Sequence, residues 1–588
     1  MAVQTAQEDR YRTLIELGID LSVERNHNRL MEKILLGAKS MTNADGGTLY
    51  LVTDNRDGLR FEIMRNDTLN VAMGGTTGVA IPFPPLRLHD AEGQPNHKNV
   101  SSYCALSGTT VNIVDAYDVD KFDFSGTKAF DAKTGYRSKS FLTVPLKNYE
   151  NQVIGVLQLI NARDEKDAVI PFGADITPMI EALSSQAAVA LDNQRLIEAQ
   201  KTLFKSFIQV IAGSIDAKSP YTGGHCNRVP ALTNLLAKAA CEATEGPFAD
   251  FTLTEDEWYE LEVAGGLHDC GKVTTPEYIV DKATKLETIY NRIHEVRMRF
   301  EVLKRDAVIE YLQGVVSGQE DEAILRQRRD DALTKLDADF AFVAECNVGG
   351  EFMAPEKVER LKAIGDTTWT RTIDDTLGLS IDEMRRRTGP SEPVPFQEKL
   401  LADKEWHIIP HEKPVDMAVY DAEGFSMRPQ PNKYNLGEIY NLSIGRGTLT
   451  AEDRFKINEH IVQTILMLKA LPFPRNLARV PEWAGGHHEK MDGTGYPRGL
   501  KKSDMSAPAR MMAIADIFEA LTAADRPYKK PKTLSESLKI MSFMVKDQHI
   551  DPELWQLFLT SGVWQTYANE HLRPDQVDAV DISNYLKK

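Results

Sequence analysis

Cysteine is scarce: 5 in 588 residues, at Cys104, Cys226, Cys241, Cys270 and Cys346, with no CxxC pair. That excludes a disulfide framework and a thiolate zinc ribbon, and it predicts a reducing, cytoplasmic setting. No run of 18 apolar residues occurs, so no membrane span is expected. The opening MAVQTAQEDRYR lacks an apolar core, so no signal peptide is expected either. Positive charge is also in deficit: Lys plus Arg is 69 against Asp plus Glu 86, a net charge of −17. A surface of that sign does not coat a nucleic-acid polymer or an anionic membrane. A phosphate ligand would therefore need a local basic or metal-lined pocket. No internal repeat is visible. What is present, 26% charged and 42% hydrophobic residues, fits globular domains. At about 150 residues per domain the length predicts roughly four units, or two or three larger ones.

Residues 1–195 read as an α+β module. A helical pattern runs from about Tyr11 to Met41. Strand patterns follow at Gly47–Val52, Thr110–Asp115, Ser140–Leu146 and Val153–Asn161. A closing helix spans about Ile176 to Gln200, and this order predicts an antiparallel sheet with helices on one face. The closing helix runs on without a breaker through Leu196, Leu203, Phe207, Val210 and Ile211. That connector, residues 196–215, carries an apolar stripe that fits either a parallel dimer seam or packing on its own domains. From Ser206 onward the pattern is helical almost throughout.

Several segments carry chemistry. Thr254-Glu255-Asp256-Glu257 is a capping box that starts a helix, and Trp258, Leu261, Ala264 and Leu267 give it an apolar face that ends at His268-Asp269. A second His-Asp pair, His89-Asp90, lies in a polar loop and reads as a decoy. Gly486-His487-His488-Glu489 leads into Asp492-Gly493-Thr494-Gly495-Tyr496-Pro497, a tight irregular loop. His460 shares a helix face with Ile457, Ile461, Thr464 and Leu468 in a run from Thr450 to Leu468. Asp516 shares one with Ala513, Ile517, Ala520 and Leu521, where an ionised carboxylate needs a metal or a cation such as Arg526 or Lys529. His225 opens a further helix. Imidazoles and carboxylates without thiolates are the composition of a binuclear metal hydrolase centre.

At these residues the sequence resembles the HD-GYP family of cyclic-di-GMP phosphodiesterases. His268-Asp269-Cys270-Gly271-Lys272 looks like the family's HDxGK. His487-His488-Glu489 with Asp492-Gly493-Thr494-Gly495-Tyr496-Pro497 looks like HHExxDGxGYP, and Ala515-Asp516 through Asp525-Arg526-Pro527-Tyr528 looks like IADxxxAL…RPY. The resemblance implies His225, His268, His460, His487, His488 and Asp516 as metal ligands, with Asp269 bridging two divalent ions, iron or manganese being favoured. It implies Lys272, Arg526 and Lys529 on substrate phosphate and Tyr496 at its border, with Asp269 and Lys272 as the catalytic pair. Tyr221 stands where three-metal members have Glu, which favours two metals. His460 is preferred to His294 because Leu449-Thr450 to His460 has the family's spacing of 11, whereas Leu286 to His294 is 8.

His268 and His460 are 192 residues apart, which implies a large, mainly helical insertion over about 281–441. Its first part reads as a hairpin, Ile289–Val316 and Glu320–Val343. The expected architecture is multidomain: an α+β GAF domain over 1–195, a connector helix over 196–215, and an all-α HD-type bundle over 206–588 split by the insertion. The GAF resemblance rests on Phe130–Ser140, Val144-Pro145-Leu146 and Ile154–Asn161. Asn161, Phe172 and Asp175 match part of the NKFDE motif, with Ala162 where Lys is expected, so the module is read as a dimerisation domain or a site for a small ligand such as a cyclic nucleotide. The implied activity is hydrolysis of cyclic-di-GMP to pGpG or GMP by a GAF-regulated homodimer. Hydrolysis of another cyclic dinucleotide or nucleotide, or non-catalytic nucleotide sensing, stays open as the alternative.

Overall fold

The structure, a computed structural model, describes residues 2–90, 92–218, 224–350, 352–524 and 531–586, with side chains from Arg10 onward. The chain divides into two compact units, Met1–Phe204 and Lys205–Lys588.

The first unit opens with two helices, α1 (Ala2–Val23) and α2 (His27–Thr42), where the sequence pattern predicts one. The break has a local cause: the Asn26 side chain accepts the Arg29 N–H at 3.0 Å and so caps α2. Eight strands follow: β1 (Ala44–Val52), β2 (Gly58–Asn66), β3 (Val71–Gly74), β4 (Leu86–Arg87), β5 (Val111–Ile113), β6 (Phe141–Lys147), β7 (Val153–Arg163) and β8 (Val169–Ile170). They form one sheet in the order β3-β2-β1-β7-β6-β5, with β4 on β2 and β8 on β7. Every pair is antiparallel. The helices α3 (Val100–Ser107) and α4 (Ser125–Thr134) and the part of α5 (Thr177–Lys218) up to Phe204 complete the unit.

Both faces of the sheet are covered, not one. Alternation along β7 sends Leu157 and Leu159 into a core with Ile34 of α2 and Leu183 of α5. Val156, one residue before Leu157, points the other way, into a cluster with Leu59 and Cys104 of α3. Asn161, Phe172 and Asp175 have structural surroundings. Asn161, at φ 56°, accepts from the Lys139 and Ser140 amides. Phe172 joins the core, and Asp175 pairs with Arg10 at the surface. His89 and Asp90 are exposed, and the Asp90 carboxylate accepts from Glu92 N and Gln94 N, holding a turn.

Helix α5 runs unbroken over the 42 residues that include the connector. Its stripe of Leu196, Leu203, Phe207, Val210 and Ile211 is exposed, whereas Ile208, Ala212 and Ile215 are buried.

The second unit begins with α6 (His225–Cys241) and α7 (Glu255–Leu267). The Thr254 capping box starts α7 as expected, with both reciprocal hydrogen bonds present. The hairpin of the insertion spans Ile293–Ser317 and Glu322–Val348 and packs Val296, Phe300 and Val343 into its own core. Strands also occur in the insertion: Thr368–Arg371 pairs with Phe396–Lys399, and Ile408–Ile409 with Tyr434–Asn435. Beyond it, the helices Ala451–Ala470, Val480–Gly485 and Ala507–Thr522 carry site residues. Leu534–Lys546, Pro552–Thr560 and Val563–His571 follow them, and Phe518 meets Phe558 and Tyr567 edge-on at 5.1 and 5.7 Å. Among the described residues no helix is long and apolar enough to cross a membrane.

Candidate metal centre

Two close backbone approaches shape the site. After α7 the chain turns through Cys270–Thr274 and presses on the helix Ala451–Ala470. A Cβ on Gly271 would lie 1.9 Å from the His460 carbonyl oxygen, so only glycine fits. The Gly271 N–H donates to Thr464 Oγ1 at 2.9 Å, which locks the two segments together. This contact joins Asp269 to His460 across the whole insertion. At Gly495 a Cβ would meet Lys490 N at 2.3 Å, so the Tyr496 loop can fold back on the His487-His488-Glu489 turn.

The helix of His460 begins at Ala451, with Thr450 and Asp453 forming a capping box. The helix of Asp516, Ala507–Thr522, is buried more broadly than its predicted stripe. Met512, Ala515, Phe518 and Glu519 are buried, while Asp516, Ile517, Ala520 and Leu521 are half-buried, because that side borders the site.

Seven predicted residues converge in two adjoining groups. Ligand atoms of Asp269, His460, His487 and His488 lie within 4.8 Å of one another, as do those of His225, His268 and Asp516. Asp269 lies between the groups. Its Oδ2 is 3.0 Å from His225 Nε2 and 3.3 Å from His268 Nε2, and its Oδ1 is 3.3 Å from His460 Nε2. Asp516 Oδ1 is 3.3 Å from His225 Nε2. His294 is exposed and beside Arg297, far from this role.

The outer ring nitrogens are fixed. Nδ1 of His268, His460 and His487 lies 2.7, 2.5 and 2.6 Å from the carbonyl oxygens of Gly265, Ile457 and Ala484. A carbonyl only accepts, so Nδ1 carries the proton and the neutral ring's lone pair sits on Nε2. These lone pairs aim inward. Nε2 of His225 faces Nε2 of His268 at 3.4 Å, and Nε2 of His460 faces Nε2 of His488 at 3.1 Å. His487 Nε2 and Asp269 Oδ1 are buried with no hydrogen-bond partner among the described residues. Inward lone pairs and orphaned acceptors are the donor set a cation satisfies.

The electrostatics agree. Burial, and then the neighbouring His268, push His487 down to about 4. Burial followed by His487 and His460 holds His488 well below its ordinary value. Both rings are therefore neutral donors near pH 7. Burial works against ionising Asp269, yet Lys272 and His268 hold its carboxyl well below the usual range. For His225, burial and Lys272 oppose protonation, and the hydrogen bonds to Asp269, Asp516 and Glu519 outweigh them. Lys272 Nζ sits 2.5 Å from Asp269 Oδ2, and its pKa is raised because Asp269 and Asp516 overcome its burial. Tyr496 stacks on His488 with ring centroids 4.9 Å apart and planes at 19°. Arg526, Lys529 and Tyr221 lie outside the described residues.

Two supporting carboxylates escaped the sequence reading. Glu519 Oε2 is 2.5 Å from His225 Nδ1, and Arg228 Nε donates to Glu519 Oε1 at 2.8 Å. Glu519 lies three residues after Asp516, and Arg228 three after His225, each pair on one helix, which is the signal that could have found them. Glu489 accepts the Arg498, Gly499 and Leu500 amides at 2.7, 3.2 and 2.9 Å and so shapes the Tyr496 loop.

A model of the GAF domain matches residues 26–191, and a model of the HD domain matches residues 395–554. The chain carries a GAF domain and an HD domain. The matched HD span contains His460, His487, His488 and Asp516. His225, His268, Asp269 and Lys272 precede it and complete the same site in space. HD-domain phosphohydrolases are metal-dependent, and the seven side chains here are a cluster of possible metal ligands.

Among curated proteins, the chain is similar to 3′3′-cGAMP-specific phosphodiesterase 1 of Vibrio cholerae serotype O1, at 45% identity over 83 residues, 14% of this chain and 19% of that protein. It is 34% identical over 192 residues to phosphodiesterase 3 of the same name and organism, covering 32% of this chain and 38% of that protein. A cyclic di-GMP phosphodiesterase of Pseudomonas aeruginosa is 37% identical over 95 residues, 16% of this chain and 22% of that protein. The chain thus spans well under two-thirds of the length of each of these relatives.

Proposed function

We propose that this chain is a metal-dependent phosphodiesterase that hydrolyses cyclic-di-GMP to pGpG or onward to GMP. The observation that carries the reading is the convergence of inward Nε2 lone pairs and Asp269 on one buried locus. His225, His268, His460, His487, His488 and Asp516 would hold two divalent cations, with Asp269 shared between them. The proton that three carboxylates draw onto His225 occupies a place that a cation would also fill. When bound, such ions supply Lewis acidity toward water and phosphoryl oxygen.

The chain's own residues do the rest. Water adds to phosphorus, the bond from phosphorus to the ribose 3′ oxygen breaks, and that oxygen leaves with a proton. Lys272, kept protonated beside Asp269, neutralises charge growing on the phosphoryl oxygens. Arg526 and Lys529 are proposed to assist it. Tyr496, stacked on His488, borders the substrate. The same locus explains how an acidic chain holds a phosphate: positive charge is needed at one point only.

A second substrate, 3′3′-cGAMP, is favoured by the names of two of the relatives above. The test is a parallel assay of metal-loaded protein on cyclic-di-GMP and 3′3′-cGAMP, with metal per chain counted. We expect hydrolysis that is abolished in the His268→Ala, Asp269→Ala double variant. Turnover by the metal-loaded double variant would overturn the assignment.

The protein is further proposed to work as a cytoplasmic homodimer whose GAF domain takes a small ligand. The dimer reading is supported by Val189, Leu196, Leu203 and Val210, spaced by seven along α5 and 49, 52, 59 and 66% exposed.

A further inference from the structure

We propose that residues 423–427, near the end of the insertion, are a positioning clamp for the Tyr496 loop and thereby set how tightly substrate is held. The inference rests on the phosphodiesterase reading above and assigns the insertion a part in it.

The loop is held from two sides. From within the HD motif, the Glu489 carboxylate gathers the amides of Arg498, Gly499 and Leu500. From the insertion, the Pro497 carbonyl accepts Ser426 N–H at 2.8 Å, Met427 N–H at 3.1 Å and the Ser426 hydroxyl at 3.1 Å. One carbonyl with three donors is more than attachment of a surface segment requires. The next residue is tied as well. Arg498 Nε donates to the Glu423 carbonyl at 3.0 Å, and its Nη2 to the Glu423 carboxylate at 3.1 Å. Lys469 Nζ lies 2.5 Å from the same carboxylate, so Glu423 is pinned to the helix that carries His460.

Packing follows the hydrogen bonds. Phe425 and Tyr420 are buried against Ile461, Val462 and Ile465 of the His460 helix, and Tyr496 packs on this cluster. The guanidinium of Arg498 lies 5.5 Å from the Phe425 ring centroid. The clamp therefore grips the residues on the C-terminal side of Tyr496 and joins them to the His460 helix. Tyr496 in turn stacks on His488. A loop freed from the insertion would keep the donor set of the metal centre, which Glu489 and the helices hold. It would lose the fixed placement of Tyr496. Substrate binding should suffer more than the chemical step.

The test uses the full chain loaded with manganese. Glu423→Ala and Arg498→Met remove the two halves of the ion pair, and the double variant closes a cycle. We expect KM for the better cyclic dinucleotide to rise about tenfold in each single variant, with kcat within about threefold. The double variant should be no worse than either single one, because both remove one device. Metal per chain should stay at the parent value, and amide exchange of residues 493–500 should accelerate. A purely structural role would instead lower the unfolding temperature and the metal content without splitting KM from kcat. Parent-like KM together with parent-like exchange in folded, metal-replete variants would overturn the clamp. If the parent itself turned over no cyclic dinucleotide, the phosphodiesterase reading would fail. The exchange measurement would still decide whether residues 423–427 hold the loop.

Discussion

Glu519 holds Nδ1 of His225 while Arg228 holds Glu519, so one buried carboxylate fixes a ring that faces both Asp269 and Asp516. Glu519→Ala frees the ring and removes the ion pair with Arg228. We expect metal affinity to fall by about 10–100-fold, read by competition titration against a chelating dye. Glu519→Gln, which still accepts from Nδ1, should lose less. Unchanged affinity in Glu519→Ala would show that the ring is oriented by other groups. At this scale His268, His487 and His488 were legible because each lies in a dense run of distinctive residues, and His460 through its spacing from Leu449-Thr450. Glu519 was not, since MMAIADIFEAL shows a second acidic residue with nothing to mark it as buried. Only the packing of α6 against the Ala507–Thr522 helix brings it to His225.

Elements were legible where one device dominates. The capping box at Thr254, the helix that starts after Thr450 and the insertion's hairpin follow from sequence directly. Strands β2 and β3 do not, and the reason is visible in Gly58–Asn66. Arg65 occupies a buried position, donating to the Met64 and Met73 carbonyls and pairing with Glu32, so a charge stands where alternation needs an apolar residue. The sheet was thus read with fewer strands than it has, and the helix on its second face was missed. Helix α5 carries the prediction at this scale. Leu203→Lys places a charge in the exposed row of seven-residue spacing. Sedimentation should then report monomer where the parent is dimeric, with the far-ultraviolet spectrum unchanged. An unaltered sedimentation coefficient in the variant would remove α5 as the seam.

Two units with separate cores imply two unfolding events. Among the described residues, the cluster of possible metal ligands lies in the second. Chelation should therefore lower one calorimetric transition and leave the other in place. At free metal 1,000-fold above Kd the lost binding is worth about 4 kcal/mol, a shift of roughly 5–15 °C. Equal displacement of both transitions, or of neither, would contradict a centre confined to residues 205–588. The division into a sheet-containing module and a helical remainder was readable from the change in periodicity near Ser206. The strands of the insertion were not, because Thr368–Arg371 and Phe396–Lys399 are four residues each, with one apolar residue apiece.

The contact of Gly271 with the His460 carbonyl has a consequence in time. His268 and Asp269 leave the ribosome before the 192 residues that separate His268 from His460. At about 5–20 residues per second that is a wait of roughly 10 to 40 seconds. During it, Asp269 lacks its imidazole from the later helix, and the thiol of Cys270, buried in the finished protein, has no cover from that side. The insertion's own apolar core, which takes in Leu286 near its start and Leu442 at its end, can assemble as the insertion is completed and bring the two ends together. The long detour between the two halves of the centre is thus also a delay during synthesis, in which the first half of the site waits for the second.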